Sequence, residues 1–162
     1  MDSELRERRM LESELRDAVS NEELVLHFQP LVDSRTHKPM GMESLIRWQH
    51  PIRGLLSPIE FVELAEQSQL ISEIGKWTLE KACTTALEWP EHMFVAVNLS
   101  AHHFMGSEIE EEVAEVLAKT NFPASRLELE ITESLLIHNS DDVIAKINGL
   151  KAIGVSVAMD DF

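Results

Sequence analysis

The sequence is poor in cysteine, in positive charge and in long apolar runs. Cys83 is the only cysteine, which excludes an internal disulfide and any cysteine-based zinc cluster. Lys plus Arg number 14 against 29 Asp plus Glu, so the net charge of -15 argues against a DNA or RNA polymer, or an anionic membrane, as the main partner. A small anionic ligand would need metal ions to mediate its binding. No segment approaches the ~20 apolar residues of a membrane span, and the N-terminal MDSELRERR carries charges where a secretory signal needs an apolar core. These absences predict a cytoplasmic chain with no membrane contact of its own, although a longer parent could be anchored upstream. Low-complexity tracts and sequence repeats are also missing.

What is present suits one globular domain: 162 residues, 44% hydrophobic and 27% charged. Leu11, Leu15, Ala18 and Val19 lie at helical spacing within a charged segment, predicting an amphipathic helix from about Ser3 to Val19. ELVLHFQPLV, stopped within by Pro30, and MGMESLIRW read as two strands joined by the polar turn DSRTHKP, which is short enough for an antiparallel hairpin. SPIE at Ser57 to Glu60 has the form of a capping box with proline at the first helical position. A longer helix through Ile74, Trp77, Ala82, Ala86 and Trp89 should follow a break near Gly75 or just before it. The rest alternates strand, helix, strand, helix, strand, with Gly154 as a helix stop, and so predicts parallel βα units in an α/β sheet or barrel.

Residues two apart in a strand face the same way. Glu43, Leu45 and Arg47 therefore share a face, as do Ala96 and Asn98, Glu128 and Glu130, and Ser156, Ala158 and Asp160, with Asp161 just beyond. Successive strands thus carry a carboxylate or amide at or near their C-terminal ends, the functional end of a (β/α) barrel. A polar residue at one strand end usually just starts a solvated loop. Several carboxylates in register would raise one another's pKa unless cations sit among them. Oxygen ligands with neither cysteine nor a histidine pair favour Mg²⁺ or Mn²⁺ over zinc. Arg47 could clamp a phosphate or form a simple ion pair with a neighbouring carboxylate. Acidic ligands and a phosphate-binding arginine together suggest metal-assisted phosphodiester hydrolysis. The histidines read as surface or packing residues, and Glu110, Glu111 and Glu112 as a solvated helix start.

FQP, ESLIRWQHP, GLLSPIEFVELAEQSQLI, IGKWTLEKAC, VNLSA, LELEITES and MDDF occur in an order and at spacings that resemble the EAL domains, bacterial cyclic di-GMP phosphodiesterases. The likeness runs from about Leu15 to Phe162. It implies a TIM-like (β/α) barrel of the EAL type, here an incomplete barrel of about five strands with the first strand antiparallel. It implies a linker helix at residues 1–20 and an EAL domain at 21–162, truncated after the fifth strand. It also implies that Glu43, Asn98, Glu130, Asp160 and Asp161 bind two divalent cations, that Gln29 and Arg47 contact cyclic di-GMP, and that Glu133 holds an active-site loop. Glu43 and Glu133 are then the catalytic candidates, and the reaction yields linear pGpG. Ser44 stands where alanine is usual, on the face opposite Glu43, so the ligand set should tolerate it. His103 stands where glutamine is frequent.

The family's catalytic lysine, a further metal-binding glutamate and a late glutamine are not among these residues. We therefore expect the chain to be inactive or impaired by itself, with a homodimer or swapped assembly covering its open sheet edges. An upstream GGDEF or sensor domain is expected in a parent protein. The alternative is a non-catalytic module that binds cyclic di-GMP or docks a protein partner.

Overall fold

The computed structural model describes residues 2–106, 108–138 and 140–160. A helix α1 (Asp2–Ala18) leads into the antiparallel hairpin β1 (Leu24–Val32) and β2 (Pro39–His50). A short strand β3 (Gly54–Leu56) folds back on β2, and helices α2 (Pro58–Gln67) and α3 (Ile71–Ala86) follow. The remainder runs β4 (Phe94–Asn98), α4 (Ala101–Gly106), α5 (Ile109–Thr120), β5 (Leu127–Thr132), α6 (Ser134–His138), α7 (Ser140–Ile153) and β6 (Ser156–Asp160). The sheet order is β1-β2-β4-β5-β6, with β3 beside β2; β1 and β3 are antiparallel to β2, and every other ladder is parallel. This is the α/β arrangement expected, with five strands along the main path and one three-residue strand off it.

Alternation builds the layers. Along β5 the odd positions Leu127, Leu129 and Ile131 are buried, while Glu128, Glu130 and Thr132 between them are half-buried. The buried set joins Val95 and Val97 of β4 against Leu79 of α3, Val113 and Val116 of α5 and Leu150 of α7. Each such side chain, fully buried, contributes roughly 1.5–3 kcal/mol. The opposite face of the sheet is left for polar chemistry.

A second apolar cluster joins Leu15 and Ala18 of α1, Trp48 of β2 and Phe61 and Leu64 of α2. The Trp48 indole N–H donates to Glu23 Oε1 at 3.0 Å, which satisfies the polar end of a fully buried ring. The last turns of α1 are thus packed into the domain, while Asp2 to Met10 are exposed.

Two local expectations shift. β1 continues through Pro30 to Val32, because an edge strand can direct the missing N–H away from its single neighbour. The α2–α3 break falls at Ser68–Leu70, where Gln69 takes φ 65°, and Gly75 lies inside α3. A side chain at Gly75 would strike the His103 ring: a Cβ would lie 2.2 Å from Nδ1. At the start of α2, by contrast, the Glu60 carboxylate accepts the Ser57 N–H at 2.9 Å, as the capping motif requires. Among the described residues, no helix is long and apolar enough to cross a membrane.

Candidate metal and phosphate site

The ladders fix which side chains stand together. Gln29 pairs with Glu43, Glu43 with Ala96, Ala96 with Glu128 and Glu128 with Ser156, forming one row across five strands. One row nearer the C-terminal ends of the parallel strands, Asn98 pairs with Glu130 and Glu130 with Ala158. Beyond these, Thr132 pairs with the backbone of Asp160. Directly paired residues share a face, so Gln29, Glu43, Asn98 and Glu130 occupy the polar side of the sheet. Asp161 lies outside the described residues.

Asn98 ends β4 and is exposed, and its Nδ2 donates to Glu43 Oε2 at 3.0 Å. The amide NH₂ is committed to Glu43, which leaves Oδ1 as the acceptor that can meet a cation. Glu43 and Glu130 are half-buried. Burial pushes the Glu128 carboxyl, one row deeper than Glu130 and level with Glu43, above its ordinary value. Among the described residues, no three His, Cys, Asp or Glu side chains converge as a metal cluster. The arrangement is a Glu43–Asn98 pair with Glu130 on the neighbouring strand. A donor set of carboxylate and amide oxygens matches hard divalent cations.

Arg47 is half-buried, and its Nη1 donates to the Ile46 carbonyl at 2.8 Å. It forms no ion pair among the described residues, so the simple ion-pair alternative has no partner there. Gln29 is exposed on β1. Glu133 is exposed in the turn between β5 and α6, where its carbonyl accepts the Leu136 N–H at 3.1 Å; its carboxylate makes no hydrogen bond among the described residues. A cavity of about 280 Å³ borders this region, with Asn98, Glu130 and Thr132 on its polar rim and Ile46, Ile74 and Leu99 among its apolar walls. A larger groove, about 620 Å³ between α1 and α2, is remote from all of these residues.

Ser44 faces away from Glu43. It is buried, and its hydroxyl donates to the Ala96 carbonyl at 3.0 Å, tying β2 to β4. His50 is buried with Nε2 2.7 Å from Glu14 Oε2, and its Nδ1 accepts the N–H groups of Ile52 and Arg53. His103 is buried with Nε2 3.3 Å from Glu112 Oε1. Glu112 is therefore no solvated residue at a helix start; it faces a buried imidazole. Burial pushes the Cys83 thiol up to about 12, so it is no nucleophile. Sequence reasoning passed over Glu66, whose Oε2 accepts the Ser100 hydroxyl proton at 2.9 Å, two residues beyond Asn98. That contact spans 34 positions and leaves no local trace in the sequence.

Carboxylate and amide side chains lie towards the C-terminal ends of the parallel strands, on the face opposite the helical layer, and Arg47 has no counter-ion among the described residues; these ends are where the site of a (β/α) barrel stands. The EAL domain family model matches residues 12–162, and the chain belongs to that family. It is 42% identical over its whole length to an uncharacterized signaling protein of Caulobacter vibrioides, of which it covers 20%. It is 36% identical, again over its whole length, to the bifunctional diguanylate cyclase/cyclic di-GMP phosphodiesterase MucR of Pseudomonas aeruginosa, of which it covers 24%. Its fold matches the solved PaMucR phosphodiesterase in complex with c-di-GMP at a TM-score of 0.89 and 37% identity, over 94% of this chain and 64% of that one. The chain therefore spans about a fifth to a quarter of these curated relatives.

Proposed function

We propose that this chain is the first part of a metal-dependent phosphodiesterase domain that hydrolyses cyclic di-GMP to linear pGpG. The observation that carries this reading is the register that gathers Glu43, Asn98 and Glu130 on one face, with Arg47 four residues beyond Glu43 on the same face of β2 and without a carboxylate partner among the described residues. MucR, a relative that covers the whole chain, is a cyclic di-GMP phosphodiesterase by name, which supports the substrate. EAL phosphodiesterases as a family are metal-dependent. In this reading Glu43, Asn98, Glu130, Asp160 and Asp161 hold two Mg²⁺ or Mn²⁺ ions. Such ions, when bound, supply charge neutralisation at the phosphoryl oxygens and an activated water.

The chain's own residues bind and orient. Glu43 is catalytic and is aimed by the Asn98 amide. The Arg47 guanidinium grips a phosphate, a match of planar donors to an anion that lysine cannot reproduce. Gln29, opposite Glu43, contacts the dinucleotide, and Glu133 holds a loop over the site. Residues 1–20, whose last turns also pack against β2 and α2, lead in from an upstream GGDEF or sensor domain, residues 21–162 form the rest of the EAL domain, and the protein is cytoplasmic. Among the described residues β1 and β6 each have one neighbour, so their outer edges pair with further polypeptide or with a second copy in a homodimer or swapped assembly. Light scattering checks the last point: a monomer at both low and high concentration argues against self-pairing.

The test of function is calorimetry of cyclic di-GMP with and without Mg²⁺, run beside a pGpG-release assay. Binding is expected only with the metal, and Glu43→Ala and Arg47→Ala should each weaken it by about tenfold or more, with Arg47→Lys recovering little. Binding that persists in a chelator would remove the metal from the reading. A second reading, a non-catalytic module that binds cyclic di-GMP or docks a protein partner, is separated by the same pair of measurements. Metal-dependent binding without turnover supports it and fits a chain that is inactive or impaired by itself; pGpG release eliminates it.

A further inference from the structure

We propose that Glu66 of α2 is a positioning residue for Asn98, acting through the Ser100 hydroxyl. The inference rests on the reading of Asn98 as a cation ligand. Asn98 is the last residue of β4, exposed, with its Nδ2 committed to Glu43. The direction of its remaining oxygen therefore depends on the turn that follows. Two anchors hold that turn. The Leu99 N–H donates to the Glu130 carbonyl at 2.9 Å, which continues the ladder by one bond. The second anchor is Ser100.

The Ser100 Oγ accepts the His102 N–H at 3.1 Å, and the Ser100 carbonyl accepts the Phe104 N–H at 2.9 Å, so Ser100 caps α4. A hydroxyl with a lone pair given to the cap still has one proton to place. That proton goes to Glu66 Oε2 at 2.9 Å. The acceptor is a carboxylate only 24% exposed, and His102 Nε2 lies 3.7 Å from the same oxygen. Glu66 thus ties α2, which lies outside the sheet, to the turn that aims Asn98.

The two contacts separate structure from placement. Without Glu66, Ser100 can still cap α4, so the helix survives while the turn loses its lateral anchor. Without Ser100, both the cap and the anchor go.

The experiment uses the full chain with Mn²⁺ as the probe. Wild type, Glu66→Ala, Glu66→Gln and Asn98→Ala are compared by thermal melting, by the Asn98 side-chain amide resonances in metal-free protein, and by Mn²⁺ calorimetry. Glu66→Leu is the companion variant, retaining bulk should Glu66→Ala fold poorly. Glu66→Ala is expected to shift or broaden the Asn98 amide signals and weaken Mn²⁺ about tenfold. Glu66→Gln, whose amide oxygen still accepts from Ser100, should restore both, with melting temperatures little changed. In the Asn98→Ala background, removing Glu66 should add almost nothing. Unchanged Asn98 signals in Glu66→Ala and Glu66→Leu overturn the positioning role. Shifted Asn98 signals in Glu66→Ala, found beside a wild type that binds no Mn²⁺ or an Asn98→Ala variant that binds it as tightly as wild type, uphold the coupling and sink the metal reading instead.

Discussion

Glu128 stands in the row of Glu43 and one row below Asn98 and Glu130, and burial holds its carboxyl above the ordinary value of 4.5. A carboxyl whose folded pKa is raised ionises at greater cost in the folded protein than in the unfolded chain. The penalty is absent below the ordinary value and complete above the raised one, so stability is lost as pH climbs between them. Glu128→Gln should raise the melting temperature by about 1–2 °C at pH 7–8, with the gain vanishing towards pH 4. Melts across that range check it; an equal gain at both ends would rule out ionisation as the cause. At this scale the sequence was informative about faces. Strand periodicity put Glu43, Asn98, Glu128 and Glu130 on common sides before any contact was known, since alternation is a local property of an extended backbone. It was silent on Glu66, because a hydrogen bond from a helix to a distant turn has no periodicity.

At the scale of elements, the long periodic segments were legible and the short ones were not. β3, α4 and α6, with three, six and five residues, are too brief for an apolar pattern to declare itself. The placement of Gly75 is a packing requirement. α3 and α4 approach so closely that the buried His103 ring, itself held by Glu112, occupies the space a Cβ would need. Gly75→Ala should destabilise the chain by about 1–3 kcal/mol, measurable by chemical denaturation. If the displaced α4 carries the Asn98 turn with it, Mn²⁺ affinity should fall as well. A change in neither quantity would mean that the helices separate freely.

For the whole molecule, the polar face and the two apolar clusters divide the labour. One cluster fastens the helical layer to the sheet, and the other fastens α1 to β2 and α2. Leu15→Ala should then destabilise the domain by about 2–4 kcal/mol, while deletion of residues 1–9 should alter the unfolding free energy little. Equal effects would make all of α1 integral to the domain; no effect from Leu15→Ala would make all of it a linker. With a net charge of -15, the molecule repels a phosphate ligand except where, on the proposed reading, bound cations and Arg47 would reverse the local field. The sequence by itself determined that balance, the alternating strands and helices, and the face each strand side chain takes, because composition and backbone periodicity are local. Only the tertiary structure decided that Glu43 grips Asn98, that Glu112 meets His103, and that Glu66 reaches Ser100. Those pairings depend on strand order and helix packing, which bring together side chains that share no short-range pattern along the chain.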